Sequence, residues 1–138
     1  MNKILANIKY PMVRKSNLPV SLRTHKDEAG YLRAKQKGIS SKPLNKEEPI
    51  QEWKGWILII NEFPYSAAFD THHMLVPKRE VTKDELNKSE REELNNIIDE
   101  LNDKYDCLLL NFNRKQSIKK HFHIHLLTYK NNRKDIKL

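Results

Sequence analysis

The segment His121-Phe-His123-Ile-His125-Leu-Leu127 constrains the fold more than any other part of the chain. Its alternation of imidazole and large apolar side chains has the period of a β-strand, in which residues two apart share a face. Read as a strand, it sends Phe122, Ile124 and Leu126 into a core and stands three imidazoles in a row on the opposite face. Two residues of strand cover roughly 6.5 Å, so one phosphate group could reach all three rings. Open strand faces ordinarily carry Thr, Lys or Ser. Three histidines in succession point to chemistry or to metal.

The preceding residues supply partners for such a strand. Trp56-Ile-Leu-Ile-Ile60 is a compact apolar run that reads as a strand buried on both faces, and Asn61-Glu-Phe-Pro64-Tyr65 ends it. His73-Met-Leu-Val76 reads as the antiparallel return, stopped by Pro77. Thr82-Lys-Asp-Glu85 forms a capping box, with Leu86, Leu94, Ile97, Ile98, Leu101 and Tyr105 following on one helical face. Cys107-Leu-Leu-Leu110 reads as the next buried strand, and a polar turn from Asn111 to Lys120 leads into the histidines. Strand, strand, helix, strand, strand with short connections predicts an α+β domain, an antiparallel β-sheet with a helix packed on it.

The first fifty residues are different. Pro11, Pro19, Pro43 and Pro49 punctuate them, and no strong period emerges beyond one short strand or helix around Glu28–Lys35. The 138 residues therefore divide into an irregular basic N-terminal extension, 1–50, and a domain, 51–138. Residues 1–50 hold 11 Lys and Arg against 4 Asp and Glu, whereas 51–138 hold 15 against 14, so nearly all of the net +8 lies in the extension. Such a basic excess attracts anions and could engage nucleic acid, although a solvated arm explains it equally well. The single cysteine, Cys107, excludes an internal disulfide and fits a reducing compartment. No apolar run approaches the length of a membrane span, and Ile4-Leu5-Ala6 is too short for the core of a signal peptide. A cytoplasmic protein with no membrane partner is expected.

The histidines admit more than one chemistry. Imidazoles at i and i+2 on a strand suit zinc, which would make the protein a metal-dependent hydrolase. A neutral imidazole is also a good nucleophile toward phosphorus, with flanking rings to orient it and neutralise phosphoryl oxygens. The approach to the strand favours phosphate. Asn111, Asn113, Gln116 and Ser117 offer donors, and Lys119 and Lys120 add positive charge. Trp53 and Trp56 read as core or interface anchors, while Tyr65 and His25 have no distinctive context and receive no role.

His121-Phe-His-Ile-His-Leu-Leu127 resembles the defining signature of the histidine triad superfamily of nucleotide hydrolases and transferases. Thr71-His72, the apolar run after it and Pro77-Lys78-Arg79 resemble that family's second motif. Asn61-Glu-Phe-Pro64 resembles its nucleoside-binding stretch, and Gln116-Ser117 its phosphate-holding pair. The likeness covers about residues 53–128 and leaves the extension without a counterpart. It implies that His123 attacks an α-phosphorus and becomes nucleotidylated, with His121 and His125 orienting it and contacting phosphate. It further implies that His72 supports the triad from the neighbouring strand, that Asn61 and Phe63 bind the nucleoside, and that Asn111, Gln116 and Ser117 bind phosphate. The expected substrates are dinucleoside polyphosphates or nucleoside phosphoramidates. No metal ligands or cofactor are required, a magnesium ion arriving only with the substrate, and a homodimer could form around Trp53–Trp56. The loop before the triad departs from the family pattern. It has no glycine, and Arg114 and Lys115 could substitute side-chain charge for backbone donors. A binding module for nucleotides or nucleic acid, without catalysis, is the reading from a different class.

Overall fold

The computed structural model describes residues 21–38, 43–116, 118 and 120–130. Its elements in chain order are α1 (His25–Gln36), β1 (Pro49–Glu52), β2 (Trp56–Ile60), β3 (Phe69–Pro77), α2 (Lys88–Leu101), β4 (Cys107–Leu109) and β5 (Ile124–Tyr129). The strands form one antiparallel sheet in the order β1-β2-β3-β5-β4. The α+β class and the antiparallel sheet expected from the sequence are present.

Alternation along the strands gives the sheet two buried faces. Trp56 and Leu58 from β2, Leu75 from β3, and Ile124 and Leu126 from β5 pack with Phe122 against Ile97 and Leu101 of α2. Trp56 lies edge-on to Phe122 at 6.2 Å, and its indole N–H donates to the Glu90 carbonyl. It is fully enclosed and therefore anchors the core, not an intermolecular contact. The opposite face carries Ile57, Ile59, Met74 and Val76 and is covered in part by Leu44. The triad histidines look toward this second face.

Several elements differ from the sequence reading. The Thr82–Glu85 capping box forms, but it closes only a 3-10 turn over Lys83–Glu85. Leu86 is extended, and a second capping box between Asn87 and Glu90 starts α2. Leu86 thus reaches the core from outside the helix, and Tyr105 does so from beyond its end. Residues 107–110 were expected to be a buried strand. Only Cys107–Leu109 pairs, along a sheet edge, and Leu108 is 47% exposed. Pairing on one side only leaves that strand half solvated.

In the N-terminal extension, where one short strand or helix was expected around Glu28–Lys35, residues 25–36 form the helix α1. Thr24 caps it by accepting from the Asp27 N–H, and acidic Asp27 and Glu28 at its start oppose basic Arg33 and Lys35 at its end, as the helix dipole favours. Strand β1 crosses position 50/51, so the expected domain division falls inside an element of the sheet.

Candidate active site

The three triad imidazoles do not stand on an open face. His121, His123 and His125 are each at most 3% exposed. The β5 ladder begins only at Ile124, so His121, at a bend, and His123 precede it. Their alternation nevertheless holds, with Phe122, Ile124 and Leu126 in the core as the period requires. His72 on β3 joins them. In the β3–β5 register Met74 faces His125 and His72 faces Leu127, which makes His72 and His125 diagonal neighbours on one face.

Hydrogen bonds assign a protonation state to each ring. A carbonyl only accepts, so the 2.9 Å contact from His123 Nδ1 to the His121 carbonyl puts the proton on Nδ1. His123 Nε2 then carries a lone pair. Likewise His121 Nε2 donates to the Pro77 carbonyl at 3.0 Å, leaving its buried Nδ1 without a hydrogen-bond partner. The Tyr65 backbone N–H donates to His72 Nδ1 at 2.9 Å, which places the His72 proton on Nε2. That proton points to His125 Nδ1 at 2.7 Å, so His125 in turn is protonated on Nε2. The Asn61 amide nitrogen also lies 3.0 Å from His72 Nε2, while Asn61 Oδ1 accepts from the Phe63 N–H. A neutral ring cannot accept at both nitrogens, so the Asn61 NH2 acts there as a steric neighbour and not as a donor.

Burial favours the neutral form of His72, His123 and His125. It lowers the pKa of His123, and it pushes His72 down to about 3 and His125 down to about 2. The positive charge of Arg23 and the neighbouring histidines add to the effect on His72 and His125.

A cavity of about 440 Å³ opens onto the triad. His121, His123, His125, Ile59, Met74 and Ile118 line its chemical end, and Asn61, Phe63 and Tyr65 line the rim beyond β2. Residues of the N-terminal segment, among them Arg23, Tyr31, Lys35 and Glu47, also line the wall, as do Glu62, Glu80 and Lys120. The Arg23 guanidinium stacks 4.1 Å above Tyr31, its Nε donates to the Phe63 carbonyl, and its Nη1 pairs with buried Glu28. Tyr31 meets Phe63 edge-on at 5.1 Å. Helix α1 is thereby fixed against the site by one cation and one aromatic pair.

The other sequence-predicted residues are distributed unevenly. The Asn111 side chain reaches the Tyr65 hydroxyl at 3.0 Å and lies 3.4 Å from His125 Nε2. Gln116 ties its amide to the Asn111 carbonyl and does not line the cavity. Arg114 and Lys115 sit on an exposed turn away from the lining, where Lys120 supplies a cation instead. Ser117 and Lys119 lie outside the described residues. Sequence reasoning missed Arg23, Tyr31 and Tyr65. Tyr65 directly follows Pro64 in the segment after β2, and that position was the one available clue.

Among the described residues, no group of three or more His, Cys, Asp or Glu is disposed to hold a metal ion. No protein-family model and no curated protein matches the chain.

Proposed function

We propose that this chain is a nucleotide hydrolase or nucleotidyl transferase of the histidine triad kind, working through a nucleotidyl-His123 intermediate. The observation that carries the reading is the His123 tautomer. Its Nδ1–H is committed to the His121 carbonyl, so Nε2, with its lone pair, is the nitrogen left for reaction. The sheet with the triad on one face, and His72 beside it on β3, supports a fold like that of the superfamily.

In the first step Nε2 of His123 bonds to the α-phosphorus while the bond from phosphorus to the leaving group breaks, its electron pair going to that group. A polyphosphate leaves as an anion, and Lys35 and Lys120 on the cavity wall suit it. Water, or a second phosphate, then attacks the same phosphorus. The N–P bond breaks, its pair returns to Nε2, and the proton of the attacking water leaves to solvent. His125, protonated on Nε2 by its bond to His72, turns that proton toward the Tyr65 hydroxyl on the cavity wall. Asn61, Phe63 and Tyr31 form the surface against which a nucleoside would lie. A magnesium ion would enter, if at all, as part of the substrate.

The test is mass spectrometry of the protein incubated with adenylyl and guanylyl polyphosphates and phosphoramidates. The reading requires a nucleotidyl adduct on the wild-type chain that is missing in His123→Ala. Stoichiometric bound zinc would turn the histidines into ligands of a metal-dependent hydrolase. Saturable nucleotide binding with no adduct or turnover would leave a binding module.

A further inference from the structure

The histidine relay begins and ends on one residue. The Tyr65 backbone N–H donates to His72 Nδ1 at 2.9 Å, and His72 Nε2–H donates to His125 Nδ1 at 2.7 Å. His125 Nε2–H then faces the Tyr65 hydroxyl at 3.4 Å. The Asn111 amide donates to the same oxygen at 3.0 Å. Two donors thus converge on Tyr65 Oη, and its acceptor directions are taken. The phenol's own proton has to point elsewhere, and Tyr65 lines the cavity beside His123 and His125. Its ring packs on His72 and His125, with centroids 4.4 and 5.0 Å apart, so it is held in place by the groups it would assist.

We propose that Tyr65 is a catalytic residue of the His123 reaction, its hydroxyl donating to a non-bridging oxygen of the phosphorus under attack. This rests on the functional reading above and adds a donor that the triad itself lacks. The triad, hydrogen-bonded as it is, presents few protons to a phosphoryl group. His123 Nδ1–H is spent on a carbonyl and His121 Nε2–H on another. The remaining donor, His125 Nε2–H, points at Tyr65. As negative charge builds on the equatorial oxygens, a phenol polarised by two incoming hydrogen bonds supplies a preorganised donor. No proton is transferred in the step. The phenol keeps its proton throughout, and burial, which raises its pKa, favours that state.

Tyr65→Phe deletes the hydroxyl while preserving the ring and the backbone N–H to His72. The experiment is the single-turnover rate of adduct formation on His123, with substrate affinity measured in parallel. The variant is expected to slow adduct formation about a hundredfold, the scale of losing one oxyanion donor, while affinity changes less than about threefold. Fluorotyrosines placed at position 65 keep the volume and the fold while raising phenol acidity, and the rate is expected to vary with that acidity. An adduct formed at the wild-type rate in Tyr65→Phe, or a rate indifferent to fluorination, overturns the role of Tyr65 alone. A wild-type chain that forms no adduct overturns the functional reading and this proposal with it.

Discussion

His72 Nε2 and His125 Nδ1 stand 2.7 Å apart across β3 and β5. This contact couples a ring from the second strand of a hairpin to the last histidine of the triad, more than fifty positions later in the chain. It decides which nitrogen of His125 faces the cavity with a proton.

Replacing His72 with Ala should leave the Tyr65 N–H and His125 Nδ1 buried without partners. Each such loss costs about 1–3 kcal/mol, so a stability decrease of about 3 kcal/mol is expected in urea denaturation. Freed from its partner, His125 can take the other tautomer, and adduct formation should slow at least about tenfold, the effect of about 1.4 kcal/mol in the barrier. A His72→Ala protein as stable and as fast as wild type would remove His72 from the site.

Stability should fall steeply with acidity. The folded pKa values of His72 and His125 lie at about 3 and about 2, below the ordinary histidine value of 6.5. Between the ordinary and folded values the unfolded chain binds protons that the native chain excludes. The stability is therefore fully present above about pH 6.5 and is lost as pH falls toward 3, by about 1.4 kcal/mol per unit for each ring. Urea midpoints measured at pH 7.5, 6.0 and 5.0 test this. A flat profile would mean that the rings are not buried neutral. The same burial, acting on His123, places the acid limb of the rate profile below the usual histidine range.

Tyr31 lies on α1, outside the stretch that resembles the family, yet it lines the cavity against Phe63. Tyr31→Ala should raise KM about fivefold and leave kcat within about twofold, since an aromatic pair contributes about 0.5–1.5 kcal/mol. An unchanged KM would return α1 to the role of a passive cover.

The two capping boxes have different weights. Asn87 starts the fourteen-residue helix that covers the core, whereas Thr82 closes a single turn. Asn87→Ala should cost about 1 kcal/mol of stability, within the range for an N-cap, and Thr82→Ala clearly less. Equal effects in thermal melts would assign the helix start to the wrong residue.

Much of the fold was legible because burial writes a period into the chain. The apolar run of β2 and the alternation that leads into β5 were both legible, although the β5 ladder begins only at Ile124 and Ile60 at the end of β2 is exposed. The start of α2 was misread because Thr82-x-x-Glu85 and Asn87-x-x-Glu90 are equally good local signals. The arrival of Leu86 and Val81 in the core selects between them. Strand β4 was read as buried from its leucines, but its place at the sheet edge depends on pairing order, which composition does not carry.

The site divides in the same way. The sequence by itself determined the alternation that sends Phe122, Ile124 and Leu126 to the core and His123 and His125 away from it, although only His125 of the three histidines lies within β5. Only the tertiary structure decided what each ring can do. Tautomers are set by the Pro77 and His121 carbonyls and by the Tyr65 N–H, and the cavity wall by Arg23 and Tyr31. Most of those partners lie far from the triad along the chain. A hydrogen bond over such separation leaves no local pattern, since it depends on where the backbone brings its two ends.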